Sequence, residues 1–170
     1  MTTALPAALR FERRALTHPD AVRLIDEVQA EYVALYGGPD SAPIDDTEFA
    51  GDAGRFYVGY LGDEPVAMGA WRRLARAPSD QPEPCAEVKR MYVAAAYRRR
   101  GLARQVLALL EREAAAAGTR SLVLETGLRQ PEAMRLYESC GYRPIPNYGH
   151  YRDSGLSRCF GKTLGPADTP

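Results

Sequence analysis

The chain has 170 residues and carries 22 lysines and arginines against 22 aspartates and glutamates, so its formal net charge is zero. That length suits one domain with a substantial core. A neutral chain lacks the positive excess on which general binding to nucleic acid or to an anionic membrane rests. Three cysteines (Cys85, Cys140 and Cys159) without a C-x-x-C spacing, with only two histidines, assemble no zinc pattern.

The cysteines read as reduced thiols of a cytoplasmic protein, small fillers of the core. The segment MTTALPAALRFERRAL lacks the apolar run of a signal peptide, and no apolar stretch is long enough for a membrane span. Leu9–Glu12 alternates weakly as a first strand. His18-Pro19-Asp20 opens a helix, with Thr17 as N-cap and Pro19 in the first turn. Val22, Ile25, Val28, Tyr32 and Leu35 follow at helical spacing until Gly37-Gly38-Pro39. Asp40–Gly54 is polar and irregular, with one helical turn near Asp45–Phe49.

Arg55–Leu61 and Pro65–Leu74 read as two strands joined through Gly62-Asp63-Glu64. Ala77–Pro84 holds three prolines and is a surface loop. Val88–Val93 is a strand, Leu102–Ala117 a helix closed by Gly118, Ser121–Thr126 a strand, and Pro131–Ser139 a helix ended by Gly141. Tyr142–Ile145 and Ser157–Leu164 form a final strand pair, and Gly165–Pro170 is a frayed tail. The order predicts a single-domain α/β protein with a mixed, twisted sheet covered by helices.

The most informative stretch is Glu87–Ala117. A strand runs into Arg98-Arg99-Arg100-Gly101-Leu102-Ala103, and a helix begins at Leu102. A loop feeding a helix N-terminus aims several unpaired N–H donors and the positive dipole end at one point, which suits a pyrophosphate. Gly101 allows close backbone approach, and Ala103 is small enough not to obstruct it.

Arg98-x-x-Gly101-x-Ala103 resembles the acyl-CoA signature Q/R-x-x-G-x-G/A of the GNAT family of N-acetyltransferases. Downstream, Leu124–Tyr142 (LETGLRQPEAMRLYESCGY) is similar to that family's fifth strand, following helix and helix end. The terminal pattern Tyr148-Gly149-His150-Tyr151 and Cys159-Phe160-Gly161-Lys162-Thr163-Leu164 resembles small bacterial members. The resemblance implies a GNAT-like sheet with helices on both faces, acetyl-CoA as acetyl donor, and transfer to an amine. A small-molecule amine is favoured over a protein N-terminus or lysine, because no recognition domain is appended. A non-catalytic acyl-CoA-binding module is the rival from another class, and a homodimer is left open.

The same resemblance distributes roles. Met91, Tyr92 and Val93 would offer backbone to the pantetheine arm if the strands Val88–Val93 and Ser121–Thr126 splay, a form of strand addition. Arg98 opens the signature, and Arg99, Arg100, Gly101, Leu102, Ala103 and Arg104 would surround the pyrophosphate. Tyr137 sits where the family carries the tyrosine that protonates the departing thiolate; by spacing alone it is equally a core tyrosine. A phenol's ordinary pKa of about 10 keeps it protonated at neutral pH.

Two carboxylates compete as general base. Glu87 stands thirteen residues before Arg100, like the base of histone-type acetyltransferases, and Glu125 twelve before Tyr137, as in ribosomal-protein alanine acetyltransferases. The expectation leans to Glu87, whose strand start borders the acceptor side. The second alignment makes Gln130 a CoA contact, although Gln followed by Pro131 replaces the family's Asn. Tyr148, His150, Tyr151 and Arg152 fall in the acceptor-side loop. Arg72, Arg73 and Arg90 either bind a substrate carboxylate or solvate the sheet.

Two other motifs fail. Between Gly155 and Gly161-Lys162-Thr163 lie five residues where a P-loop has four, and no helix follows. A hydrolase triad lacks its G-x-S-x-G elbow, and His150 reads as a loop residue.

Overall fold

In a computed structural model that describes residues 8–165, one seven-stranded sheet lies between two helical layers. The elements are β1 (Arg10–Arg13), α1 (Pro19–Tyr36), β2 (Gly54–Leu61), β3 (Glu64–Arg73), β4 (Cys85–Val93), α2 (Leu102–Ala116), β5 (Ser121–Gly127), α3 (Pro131–Ser139), β6 (Arg143–Ile145) and β7 (Ser157–Thr163). Single 3-10 turns occupy Asp46–Phe49 and Ala95–Tyr97. The strand order is β1-β2-β3-β4-β5-β7-β6, antiparallel throughout except for the β4–β5 pair.

Helix and strand periodicities build two cores. On one face α1 buries Ala21, Leu24 and Val28 against Phe56, Val58, Met68, Ala70 and Tyr92. On the other, α2 buries Val106, Leu107, Leu110 and Ala114 against Tyr57, Trp71, Val88, Leu122 and Leu124, and α3 adds Tyr137. Fully burying a side chain such as Leu24 or Leu110 contributes about 1.5–3 kcal/mol. Because both faces are covered, β2 and β3 are almost continuously buried rather than alternating.

The expected elements are all present, with shifted edges. The N-cap of α1 is His18 rather than Thr17, since His18 Nδ1 accepts from the Asp20 amide at 3.2 Å. β4 begins at Cys85, three residues before the expected start, because Ala86 and Glu87 already pair with Arg73 and Arg72 of β3. β1 covers Arg10–Arg13, and α2 stops at Ala116. Beyond Gly165, the tail expected at the C-terminus lies outside the described residues. Among the described residues no helix is long and apolar enough to cross a membrane.

Candidate active site

The site begins where two parallel strands part. β4 and β5 pair only through Cys85–Ser121, Ala86–Leu122 and Glu87–Val123. Past that point β5 stays with β7 as far as Gly127, and β4 stays with β3 as far as Val93. Among the described residues, the β5-facing edge of Val88–Val93 therefore has no strand partner. The cause lies within β4. Ala70 faces Lys89 and Met68 faces Tyr92, so two steps along β3 span three along β4, and Arg90 takes a left-handed φ of 55°. Such a bulge bends the strand and increases its twist. It also explains why Val88 and Met91, three residues apart, both pack on the α2 side, while Tyr92 packs on the α1 side.

After β4 the chain makes the loop expected to face phosphates. Arg99 (φ 63°) and Gly101 (φ 74°) are both left-handed, and Gly101 is the N-cap of α2 without any side-chain cap. The first N–H groups of α2 thus face outward with the positive end of the helix dipole. A Cβ on Gly101 would meet nothing within 4 Å, so the glycine answers a backbone demand rather than a spatial one. Leu102 is buried and pins the helix start, and Ala103 packs partly against the same core.

The arginines of this loop divide. Arg98 donates from Nε to the Val93 carbonyl at 2.9 Å, pairs with Glu31 and lies over the Tyr92 ring, so its guanidinium staples the turn to β4 and α1. Arg104 reaches across to α3, donating to Ser139 Oγ at 2.7 Å and contacting Cys140 Sγ. Arg100 lies over Tyr97. Arg99 is exposed, and among the described residues its side chain makes no hydrogen bond. The Tyr92 hydroxyl points toward Glu27 and Glu31 of α1, which leaves only backbone at Tyr92 for a ligand in the splay.

The splay opens into a cleft of about 340 Å³, walled by Lys89, Arg90 and Met91 of β4, Leu124–Gly127 of β5, Gln130 at the N-cap of α3 and Tyr137 within it, Tyr32 and Tyr36 of α1, and Asp40 and Tyr151 from two loops. Tyr137 is buried, its ring against Tyr142 and Phe160 and its Oη 4.0 Å from Met91 Sδ. Burial holds its phenol well above the usual range, so it stays protonated. Glu125 is pushed up to about 7, first by desolvation and then by the nearby Glu87 and Asp40 carboxylates, while Lys89 opposes the shift. Gln130 Nε2 approaches the Tyr36 hydroxyl at 3.4 Å. Tyr36 in turn lies over Gly127, where a Cβ would come within 1.8 Å of the hydroxyl oxygen.

Glu87 is placed differently. It is 4% exposed and does not line the cleft. One of its oxygens accepts from Arg72 Nε and Nη2 at 2.9 and 2.8 Å, the other from the Tyr148 hydroxyl at 3.1 Å. Arg72 also holds Glu48 at 2.6 Å. Arg73 donates to the backbone carbonyls of Asp52 and Ala117. Of the three arginines considered for a substrate carboxylate, only Arg90 lines the cleft. His150 is exposed in its turn, with its ring edge-on to Tyr151.

Tyr32, Tyr36, Asp40 and Lys89 belong to the site without having been singled out as site residues from sequence. The available cue was an i, i+4 tyrosine pair at the end of α1, directly before Gly37-Gly38-Pro39. Tyr151, assigned to the acceptor-side loop, does reach the cleft. Its hydroxyl donates to Asp40 Oδ1 at 2.7 Å and accepts from the Ser41 amide at 2.8 Å, tying the two loops together.

Comparison with known proteins bears on the family and the fold. Residues 22–142 match the Acetyltransferase (GNAT) family. An IAA acetyltransferase of Azospirillum brasilense is 32% identical over 143 residues, covering 84% of this chain and 90% of its own. The uncharacterized N-acetyltransferase YsnE of Bacillus subtilis is 34% identical over 99 residues, 55% of this chain and 61% of its own. Among solved structures, a Klebsiella pneumoniae protein described as an acyl-CoA N-acyltransferase superposes with a TM-score of 0.74 at 26% identity, covering 94% of this chain and 99% of its own. A GNAT family acetyltransferase of Elizabethkingia anophelis with acetyl-CoA bound shares the fold, with a TM-score of 0.62 at 16% identity over 92% of this chain and 98% of its own. The chain belongs to the GNAT family of N-acetyltransferases, for which acetyl-CoA is the acetyl donor.

Proposed function

We propose that this chain is a single-domain N-acetyltransferase that acetylates the primary amine of a small molecule by direct transfer within a ternary complex. The observation that carries the reading is that one cleft, at the end of the β4–β5 splay, contains both a carboxylate poised near neutrality and a buried, protonated phenol. The donor fits the residues beside it. The uncapped start of α2 suits a pyrophosphate, and the unpaired edge of Met91–Val93 suits the amides of the pantetheine arm.

In this reading Glu125, rather than Glu87, takes a proton from the acceptor's ammonium, directly or through one water. The freed amine adds to the thioester carbonyl, and the carbonyl reforms as the C–S bond breaks. Tyr137 Oη gives a proton to the departing sulfur, and the second proton lost by the nitrogen passes through water to the Tyr137 phenolate and restores the phenol. Glu87 serves instead to hold Arg72 and Tyr148 beside the acceptor end of the sheet. Gln130 and Tyr36 close the wall next to Gly127. The cleft volume and the Tyr151 hydroxyl that ties its two lining loops together favour a small acceptor over a polypeptide side chain.

The test is release of CoA thiol from acetyl-CoA across a panel of amines, amino acids and peptides, with both substrates varied. Intersecting initial-rate lines and a small amine as best acceptor are expected. Parallel lines would contradict direct transfer, and peptides as best acceptors would contradict the small-molecule assignment.

A further inference from the structure

We infer that the acceptor amine carries a carboxylate, as an α-amino acid does, and that Arg90 is the specificity-determining residue that receives it; this inference rests on the acetyltransferase reading above. Arg90 lines the cleft with its side chain only 11% exposed. Its Nε and Nη1 are buried and find no hydrogen-bond acceptor among the described residues. The nearest carboxylate, Asp40 Oδ2, stands 4.0 Å from Nη1, beyond hydrogen-bond reach. Asp40 Oδ1 is already taken by the Tyr151 hydroxyl at 2.7 Å and the Ala42 amide at 3.0 Å.

A buried charged donor without an acceptor is costly, and such groups are rare away from functional sites. The same residue carries the left-handed φ of the β4 bulge, a conformation that L-residues other than glycine and asparagine seldom adopt. The bulge removes Arg90 from regular strand alternation, and its side chain stands beside Asp40, which lines the same cleft. Two unfavourable features thus coincide in one cleft residue, and a planar anion at the guanidinium would relieve the first of them.

Charge selects among anions. Arg90, Lys89, Asp40 and Glu125 line the same cleft, so its wall carries no net charge once Glu125 is ionised. A phosphate would bring a second negative charge toward two carboxylates. A zwitterion adds no net charge: its carboxylate meets Arg90 while its ammonium faces the acidic side.

The test pairs each of a set of L-α-amino acids with its own carboxamide as acceptor, reading kcat and KM by thiol release. Carboxamide amines are the less basic, so more of each is unprotonated near neutral pH and the comparison is biased against the expected result. Wild-type protein should favour the acids by about 10²-fold in kcat/KM, the scale of a charged hydrogen-bond set lost from a buried site. Arg90→Gln should erase the gap, with the loss falling on KM, and Arg90→Lys should restore part of it. Retained thermal stabilisation of Arg90→Gln by acetyl-CoA shows that the fold and donor site persist; if that variant does not fold, the wild-type pairs and Arg90→Lys decide. Equal use of acids and carboxamides by the wild type, or a preference that survives Arg90→Gln, overturns the inference and leaves the acetyltransferase reading standing. Failure of every amine to release thiol overturns both.

Discussion

Replacing Glu125 by glutamine separates the proposed base from its competitor and has an unusual signature in stability. The carboxyl is raised from 4.5 to about 7. Folding therefore favours its protonated form. The stabilisation from that form is complete below the unfolded value near 4.5 and is lost as the pH rises through about 7. At about 1.4 kcal/mol per unit the full difference would be about 3 kcal/mol, but Glu125 is half-buried at the wall of an open cleft, and water screening reduces it to about 1–2 kcal/mol. Denaturant melts should show Glu125→Gln more stable than wild type by that amount at pH 8.5 and equal to it only below the ordinary carboxyl value, at about pH 3.5. Activity should move the other way. Wild-type kcat/KM should fall on the acid side with a midpoint near 7 once the acceptor's own ionisation is divided out, and the variant should lose about 10²-fold together with that limb. A limb near 7 that persists in Glu125→Gln, or a variant less stable than wild type at pH 8.5, refutes the reasoning.

Acetyl-CoA should raise the melting temperature of the wild type, and Gly101→Val should abolish that rise, because a β-branched residue at φ 74° strains the turn by about 1–2 kcal/mol and displaces the first amides of α2; calorimetry that finds equal donor affinity for both proteins counts against the phosphate loop. Tyr137→Phe should lower kcat by about 10²-fold with little change in donor affinity, and an unchanged kcat would return Tyr137 to a packing role or expose product release as the slow step. Glu87→Gln removes the charge that compensates Arg72 and weakens the bond to Tyr148, so it should destabilise by about 2 kcal/mol while keeping the acid limb, moved to lower pH because the Glu87 charge that helps raise Glu125 is gone; the Glu48 contact retained by Arg72 keeps the destabilisation below the usual cost of breaking a buried pair. Loss of the limb in this variant would move the base to Glu87.

The local signals in this chain carried far because each element agreed with its neighbours. Pro19 and Gly37 bound α1, Gly101 and Gly118 bound α2, and Pro131 and Gly141 bound α3. The splay of β4 and β5 was anticipated, but not its cause. Lys89-Arg90-Met91 reads as ordinary strand, and no glycine marks the left-handed residue in the bulge. Spacing could not separate Glu87 from Glu125, because the difference is made by residues remote in sequence. Arg72 and Tyr148, 15 and 61 residues from Glu87, occupy its oxygens, while burial in the cleft wall desolvates Glu125. Arg98 fitted the signature, yet its side chain is engaged by the Val93 carbonyl and Glu31, partners that a local pattern does not reveal. Tyr32 and Tyr36 obeyed helical spacing, which cannot show that one end of α1 leaves the core and walls the cleft.

The central claim is that the unpaired edge of β4 and the start of α2 together receive acetyl-CoA. Residue-resolved amide hydrogen exchange, with and without acetyl-CoA, reads those backbone groups directly. Protection should concentrate at Met91–Val93 and at Leu102–Arg104, and in Gly101→Val it should be absent at the second segment. Binding that protects neither segment, or protects amides elsewhere in the sheet instead, would contradict it.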